Sequence, residues 1–429
     1  MKEDSSLFKY ELAIAAILKN EGPYVKEWVE YHLLAGVEHF YIYDNESPDN
    51  LKQEIQSYID AGVVDYTFLP GQCTLMVAFN DAIDKHKFDC RYIAFLDGDE
   101  YILPRGNVII QDIVHQMLDD KKNAVSLTMN WHTFGSNGLE KAEYEKSVLE
   151  RFTTRTPDNF DVDKKLGNGH VKTIVNPRCV DIFHISHCPV YYPGKFSIDE
   201  NNKVVPGYFN PDVPDKKIVI NHYQMKSKEE YVRKISRGHA DSTTLRPKME
   251  DFIHTNELST VYDDSILQYR QQRYEQLSDP EGNLTLQFDS SEAINRRLFN
   301  AVAQHILPLT FAFTSNEPFG GKLHEFLTCR AVSNSLKNES ALDESTAEFF
   351  EELSLRCVYR SMSAGDLEIW QLMLLLDELP KILNLEYDVV DDIKNACRQL
   401  IPQLMMQYRM HADWNKYKQL NYLLKMLEE

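Results

Sequence analysis

Arg91-Tyr92-Ile93-Ala94-Phe95-Leu96 runs straight into Asp97-Gly98-Asp99-Glu100, and the reading of this stretch decides the fold. A short apolar run bounded by turn residues reads as a buried strand. Asp97 and Asp99 follow it two residues apart, a step that on extended backbone aims both carboxylates the same way. Two hard oxygen ligands suit Mn²⁺ or Mg²⁺, and such an ion also holds substrate phosphates and offsets charge on a departing diphosphate. Gly98 between them leaves room for a diphosphate to approach the backbone. A lone triplet of this kind more often serves a turn or a helix cap. The weight therefore falls on what surrounds it.

Upstream, strand and helix alternate. Residues 11–18 read as a buried strand, and Pro23 opens a helix with Val25, Trp28, Val29 and Leu33 on one face, ended by Gly36. His39 to Asp44 is a second strand, followed by turn chemistry at Asn45 to Asp49 and a helix through Leu51, Ile55 and Ile59. Val63 to Leu69 is a third strand, and Leu75, Ala78, Phe79 and Ala82 mark the next helix. Repeated units of this length imply an α/β class with a parallel sheet covered by helices on both faces. In such sheets ligands bind beyond the carboxyl ends of the strands. Three polar clusters fall at those ends: Lys19-Asn20-Glu21, Asp44-Asn45-Glu46-Ser47 and Asp97-Gly98-Asp99-Glu100.

Downstream the pattern becomes mixed, with apolar runs at 124–129, 171–175 and 218–220. His222, at the end of the last run, is either a third metal ligand or a histidine satisfied at a strand end. Trp131 to Gly138 reads as one loop in which Trp131, Phe134 and Gly135 either face a sugar or simply anchor the chain. His184, His187 and Cys188 lack a fourth ligand and the spacing of a closed zinc site, which favours packing. From about residue 260 onward the chain reads as amphipathic helices, such as Phe350, Leu353 and Cys357. The expected division is a catalytic domain over 1–240, a connection over 241–285 and a helical domain over 286–429.

A length of 429 residues suggests two domains or more. A formal charge of −20 argues against a nucleic-acid groove and against a broad hold on anionic lipid. The apolar run Leu12 to Leu18 is too short to span a bilayer and no later stretch is longer, so no integral membrane segment is expected, with peripheral association still open. Seven scattered cysteines without CxxC spacing fit a reduced, cytoplasmic setting. No Walker loop, GxGxxG or nucleophilic serine elbow is present.

Taken together, the blocks resemble a known family. Leu18-Lys19-Asn20-Glu21, Glu27-Trp28, Tyr31-His32, Gly36-Val37 and Tyr43-Asp44-Asn45 with Ser47 are similar to the opening of family 92 glycosyltransferases and of related bacterial family-2-like enzymes. Phe95 to Tyr101, Trp131 with Phe134 to Gly138, Glu150-Arg151-Phe152, Lys172 to Pro177, Asn221-His222-Tyr223, Lys226-Ser227 and Arg237-Gly238 continue the series in order. The resemblance implies a GT-A fold, a Rossmann-like mixed sheet covered by helices. It also implies inverting transfer of a sugar, often galactose from UDP-galactose, with Mn²⁺ as the usual metal. By matching position, Asp97 and Asp99 would hold the metal and diphosphate, and His222 would be the C-terminal ligand. Asn20, Glu21 and Asp44 would lie near the nucleotide, and Trp131 and the following loop would face donor sugar or acceptor. The helical C-terminal region lies outside the resemblance.

Inverting transfer also needs a base for the acceptor hydroxyl, a glycan or glycolipid in this reading. Glu150 and Asp181 are the sequence candidates, and Glu150 equally suits a surface pair. Two rival readings stay open at this level. One is a sugar-phosphate nucleotidyltransferase, which would normally carry a Gly-rich basic segment after the first strand. The other is an inactive scaffold of the same fold.

Overall fold

A computed structural model describes residues 6–237, 248–284, 286, 288–312, 320–364, 367–410 and 413–428. Among these residues the nine strands of its main sheet are β1 (Tyr10–Leu18), β2 (His39–Asp44), β3 (Val64–Phe68), β4 (Cys90–Leu96), β5 (Glu100–Pro104), β6 (Ala124–Thr133), β7 (Val171–Val175), β8 (Phe196–Ile198) and β9 (Ile218–His222). Their order is β3-β2-β1-β4-β7-β6-β9-β5, with β8 pairing the first half of β6. β3, β2, β1 and β4 are parallel. β7 then runs antiparallel to both β4 and β6, and β9 runs parallel to β6 but antiparallel to β5. The sheet is mixed, as the GT-A class requires, and helices cover it.

β1 shows why its sequence is an unbroken apolar run. Leu12, Ile14, Ala16 and Leu18 join one core with Val25, Trp28 and Val29 of the helix Gly22–Leu34. Ala13, Ala15 and Ile17 join another with Leu75, Ala78 and Phe79 of the helix Leu75–His86. Alternate side chains therefore enter opposite cores, and neither face needs polar residues.

β5 was not foreseen from the sequence. It is the last strand of the order, and the groups on its outer side are met by side chains of the helix Gly22–Leu34. Trp28 Nε1 donates to Glu100 O at 2.7 Å, and Tyr31 Oη donates to Ile102 O at 2.9 Å. Ile102 N–H donates to His32 Nε2 at 3.2 Å, while the other His32 nitrogen, Nδ1, meets Trp28 O at 2.8 Å. Both nitrogens are used by a neutral ring, and burial lowers the His32 pKa to about 3.

The chain forms two compact units: Tyr10–Phe288, and the described parts of Met1–Lys9 with Asp289–Glu429. The stretch read as a connection over 241–285 supplies the helices Met249–Leu258 and Ser265–Leu277 to the sheet unit. Ile266 and Tyr269 are buried in the same core as β1 and Trp28, so this unit runs past residue 240. The second unit is built from the helices Ser291–Ala312, Leu323–Asn338, Glu344–Ser363, Ile369–Ile382, Asp388–Met410 and Trp414–Glu428. Leu7 lies in its core with Leu298 and Val302, and Arg297 Nη1 donates to Ser6 O and Phe8 O at 3.3 and 2.9 Å.

Candidate active site

Extended backbone stops at Leu96, and Asp97-Gly98-Asp99 forms a turn closed by Glu100 N–H to Asp97 O at 3.1 Å. The period-two expectation for the two carboxylates fails for that reason. Asp97 Oδ2 turns to Lys172 Nζ at 3.0 Å, whereas Asp99 Oδ1 meets His222 Nε2 at 3.3 Å. Asp97 does not join Asp99 and His222 in a set of ligand atoms within 4.8 Å of one another. Gly98 also has a different reason to be glycine. A Cβ there would stand 2.7 Å from Leu18 Cδ2 and 3.3 Å from Glu21 Cγ, so the turn is seated on the end of β1.

Strand register brings Asp99 and His222 together. β9 pairs with β5 so that His222 opposes Glu100, and Tyr223 N–H donates to Asp99 O at 2.8 Å. Lys234, on the helix Lys228–Arg237, donates to Asp99 Oδ2 at 2.8 Å. Burial pushes the Asp99 carboxyl up, but Lys234 and His222 outweigh it and hold it well below the usual carboxylate range. Lys172 is wholly buried between Asp97 and Glu100, with Glu100 Oε2 at 3.5 Å. Burial raises the Glu100 pKa to about 8 against the opposing pull of Lys172.

Trp131 and Thr133 belong to β6 rather than to a loop. The Trp131 ring lies 4.2 Å from the His222 ring and is flanked by His170 at 5.0 Å and His187 at 5.3 Å. His187 is thus part of this aromatic group, while His184 is exposed. The buried Trp131 Nε1 and His222 Nδ1 have no hydrogen-bond partner, which marks groups suited to a ligand.

Phe134 and Gly135 are both packed inside the unit. Phe134 is fully buried with its ring 4.6 Å from that of Tyr223. A Cβ on Gly135 would come within 2.5 Å of Ser259 Oγ, so this glycine is required by packing inside the unit.

The strand-end clusters are tied to one another. Glu21 is buried and pairs with Lys226 at 3.2 Å, and Lys226 Nζ lies 3.8 Å from the centre of the Tyr24 ring. Asp44 accepts from Ser47 N–H at 2.9 Å and from Tyr66 Oη at 2.6 Å. Asn20 is exposed in left-handed backbone, its N–H on Ser47 Oγ at 3.1 Å. Asp49 accepts from both Gly22 N–H and Leu51 N–H, joining two helix starts.

Glu150 and Asp181, the base candidates, are held by partners of their own. Glu150 closes a helix cap by accepting from Ser147 N–H at 3.2 Å and takes Arg270 at 3.3 Å. The Ser147 N–H, more than any other group, holds its carboxyl below the usual range, which weakens it as a base. Asp181 sits in the short ribbon of Val180–Ile182 against Val190–Tyr191. Lys172, Lys226 and Lys234 are not among the site residues expected from the sequence. Lys172 stands out as a lysine inside the apolar strand Val171–Val175, and Lys172 and Lys226 both fall in the blocks that carry the family resemblance. Gly238 of the Arg237-Gly238 block lies outside the described residues.

Comparison with known proteins settles the family. Residues 16–260, more than half of the chain, match the model of Glycosyltransferase family 92. The chain belongs to glycosyltransferase family 92. A family 92 protein of Ricinus communis is 29% identical over 232 residues, covering 53% of this chain and 38% of that protein. One of Arabidopsis thaliana is 34% identical over 153 residues, covering 32% of this chain and 25% of that protein. This family 92 chain therefore spans well under half the length of these relatives. Among solved structures, S. aureus TarS 1-349 in complex with UDP aligns at a TM-score of 0.28 and 10% identity, over 88% of this chain and 93% of that one. No helix of the described residues is long and apolar enough to cross a membrane.

Proposed function

We propose that this family 92 chain is an inverting hexosyltransferase that moves a sugar, galactose first, from a UDP-linked donor to a hydroxyl of a glycan or glycolipid. The observation that carries this reading is the Asp99–His222 pair, 3.3 Å apart and buried at the sheet's carboxyl edge. An oxygen and a nitrogen donor at that separation fit a divalent ion such as Mn²⁺ or Mg²⁺. Asp99 and His222 would hold it, while Asp97 Oδ2 is engaged by Lys172. When bound, the ion supplies charge to stabilise a departing nucleoside diphosphate.

The chain's own groups do the rest in this reading. Lys226 and Lys234 bring positive charge beside the diphosphate position, and Trp131 offers an indole face and a free N–H to the donor sugar. Asn20, Glu21 and Asp44 surround the nucleotide position at the ends of β1 and β2.

The test is turnover of UDP-, GDP- and dTDP-sugars with and without Mn²⁺, using Asp99→Asn as control. Metal-dependent release of the nucleoside diphosphate from a UDP-sugar is expected, reduced on the order of 10²-fold or more in Asp99→Asn. Release that ignores both metal and the substitution would defeat the reading.

A further inference from the structure

The sheet unit contains a second group of metal-ligating side chains that the transferase reading does not use. His132 follows Trp131 in β6, so its side chain enters the opposite face of the sheet. It is fully buried, and neither ring nitrogen has a hydrogen-bond partner. His132 Nε2 stands 3.6 Å from Asp158 Oδ1 and 3.6 Å from Asp215 Oδ2. One ligand atom from each of the three lies within 4.8 Å of the others. Ligands about 2.0–2.1 Å from a tetrahedral ion stand roughly 3.3 Å apart, so small shifts close this set on an ion.

Two of the surrounding cations share the carboxylate oxygens that face His132, each leaving the oxygen's other lone pair for a ligand bond. Arg155 Nη1 donates to Asp158 Oδ1 at 2.7 Å, and Lys216 takes Asp215 Oδ1 at 2.9 Å. That leaves Asp215 Oδ2 directed at the imidazole, with Arg105 Nη2 3.8 Å away. Ligating carboxylates are in turn hydrogen-bonded in metal sites, which fixes their orientation.

We propose that His132, Asp158 and Asp215 hold a zinc ion distinct from the Asp99–His222 site, with water completing the shell on the exposed side of Asp158. One imidazole and two carboxylates favour a transition ion over Mg²⁺ or Ca²⁺. The ion ties β6, the segment after Thr154–Arg155 and the run leading into β9. It thereby fixes the two strands that present Trp131 and His222, and its role is structural.

The experiment uses the full chain carrying Asp97→Asn and Asp99→Asn, so that its result is independent of the donor site. Chelator-stripped protein is dialysed against Zn²⁺ alone and followed by elemental analysis and thermal melting. One equivalent of zinc and a melting point raised by several degrees are expected. Asp158→Asn, a change at an exposed side chain, weakens binding at least tenfold, and His132→Asn does so further. No retained zinc would overturn the proposal. So would zinc held equally well by Asp158→Asn or Asp215→Asn variants whose far-UV circular dichroism is unchanged.

Discussion

His32 and Lys172 show how single side chains set the chemistry of the sheet. His32 is neutral when folded, with a pKa of about 3 against an ordinary 6.5. A depressed histidine leaves the unfolded chain binding more protons between those values. Its contribution is therefore complete above pH 6.5 and is lost as pH falls toward 3. The slope of stability is up to about 1.4 kcal/mol per pH unit. Urea unfolding of the chain and of His32→Leu at pH 7, 5 and 4 tests this. The variant is expected to start less stable by about 1–3 kcal/mol, because Ile102 N–H loses its acceptor, and to fall less steeply. Lys172→Met leaves Asp97 and Glu100 without their buried cation, and a loss of about 3–5 kcal/mol is expected by denaturant titration. Adding Glu100→Gln should restore part of it. Sequence pattern exposes Lys172 as an oddity in an apolar strand but cannot show what it neutralises, because its partners are about 75 residues away in the chain.

At the scale of elements, the strands buried on both faces were readable because their apolar runs have few alternatives. β2 and β7 match their sequence-read limits residue for residue. β5 was not readable, since its five residues directly follow the acidic turn and are held largely by partners distant in sequence. The same turn explains why the Asp97 and Asp99 carboxylates part: periodicity along a strand says nothing once the strand has ended. Their pairing with Lys172 and His222 depends on register between strands, which local sequence leaves undetermined. Trp131 was legible as a residue of interest, whereas Phe134 and Gly135 beside it proved to be packing residues. Gly98→Ala is expected to cost about 1–3 kcal/mol, because the new methyl meets Leu18 Cδ2 at 2.7 Å. The same substitution should lower turnover by displacing Asp99. Thermal melting and a kcat measurement on one preparation check both effects.

At the scale of the molecule, a sheet unit and a helical unit with separate cores are expected to unfold in two steps. Calorimetry with UDP-sugar and Mn²⁺ should raise only the transition of the Tyr10–Phe288 unit, by linkage of ligand to its native state. A single transition that shifts as a whole would contradict this. The helical character of the second unit was plain from periodicity. The membership of Leu7 in its core was not, because nothing local tells a short N-terminal segment which core will accept it. The sealing of β5 by Trp28, Tyr31 and His32 has a consequence for the protein in crowded solution. An unsealed outermost strand is a template on which another chain can extend the sheet. These three side chains act as a guard against such self-association. Variants that remove them should precipitate at concentrations where the parent chain stays dissolved, as light scattering would show.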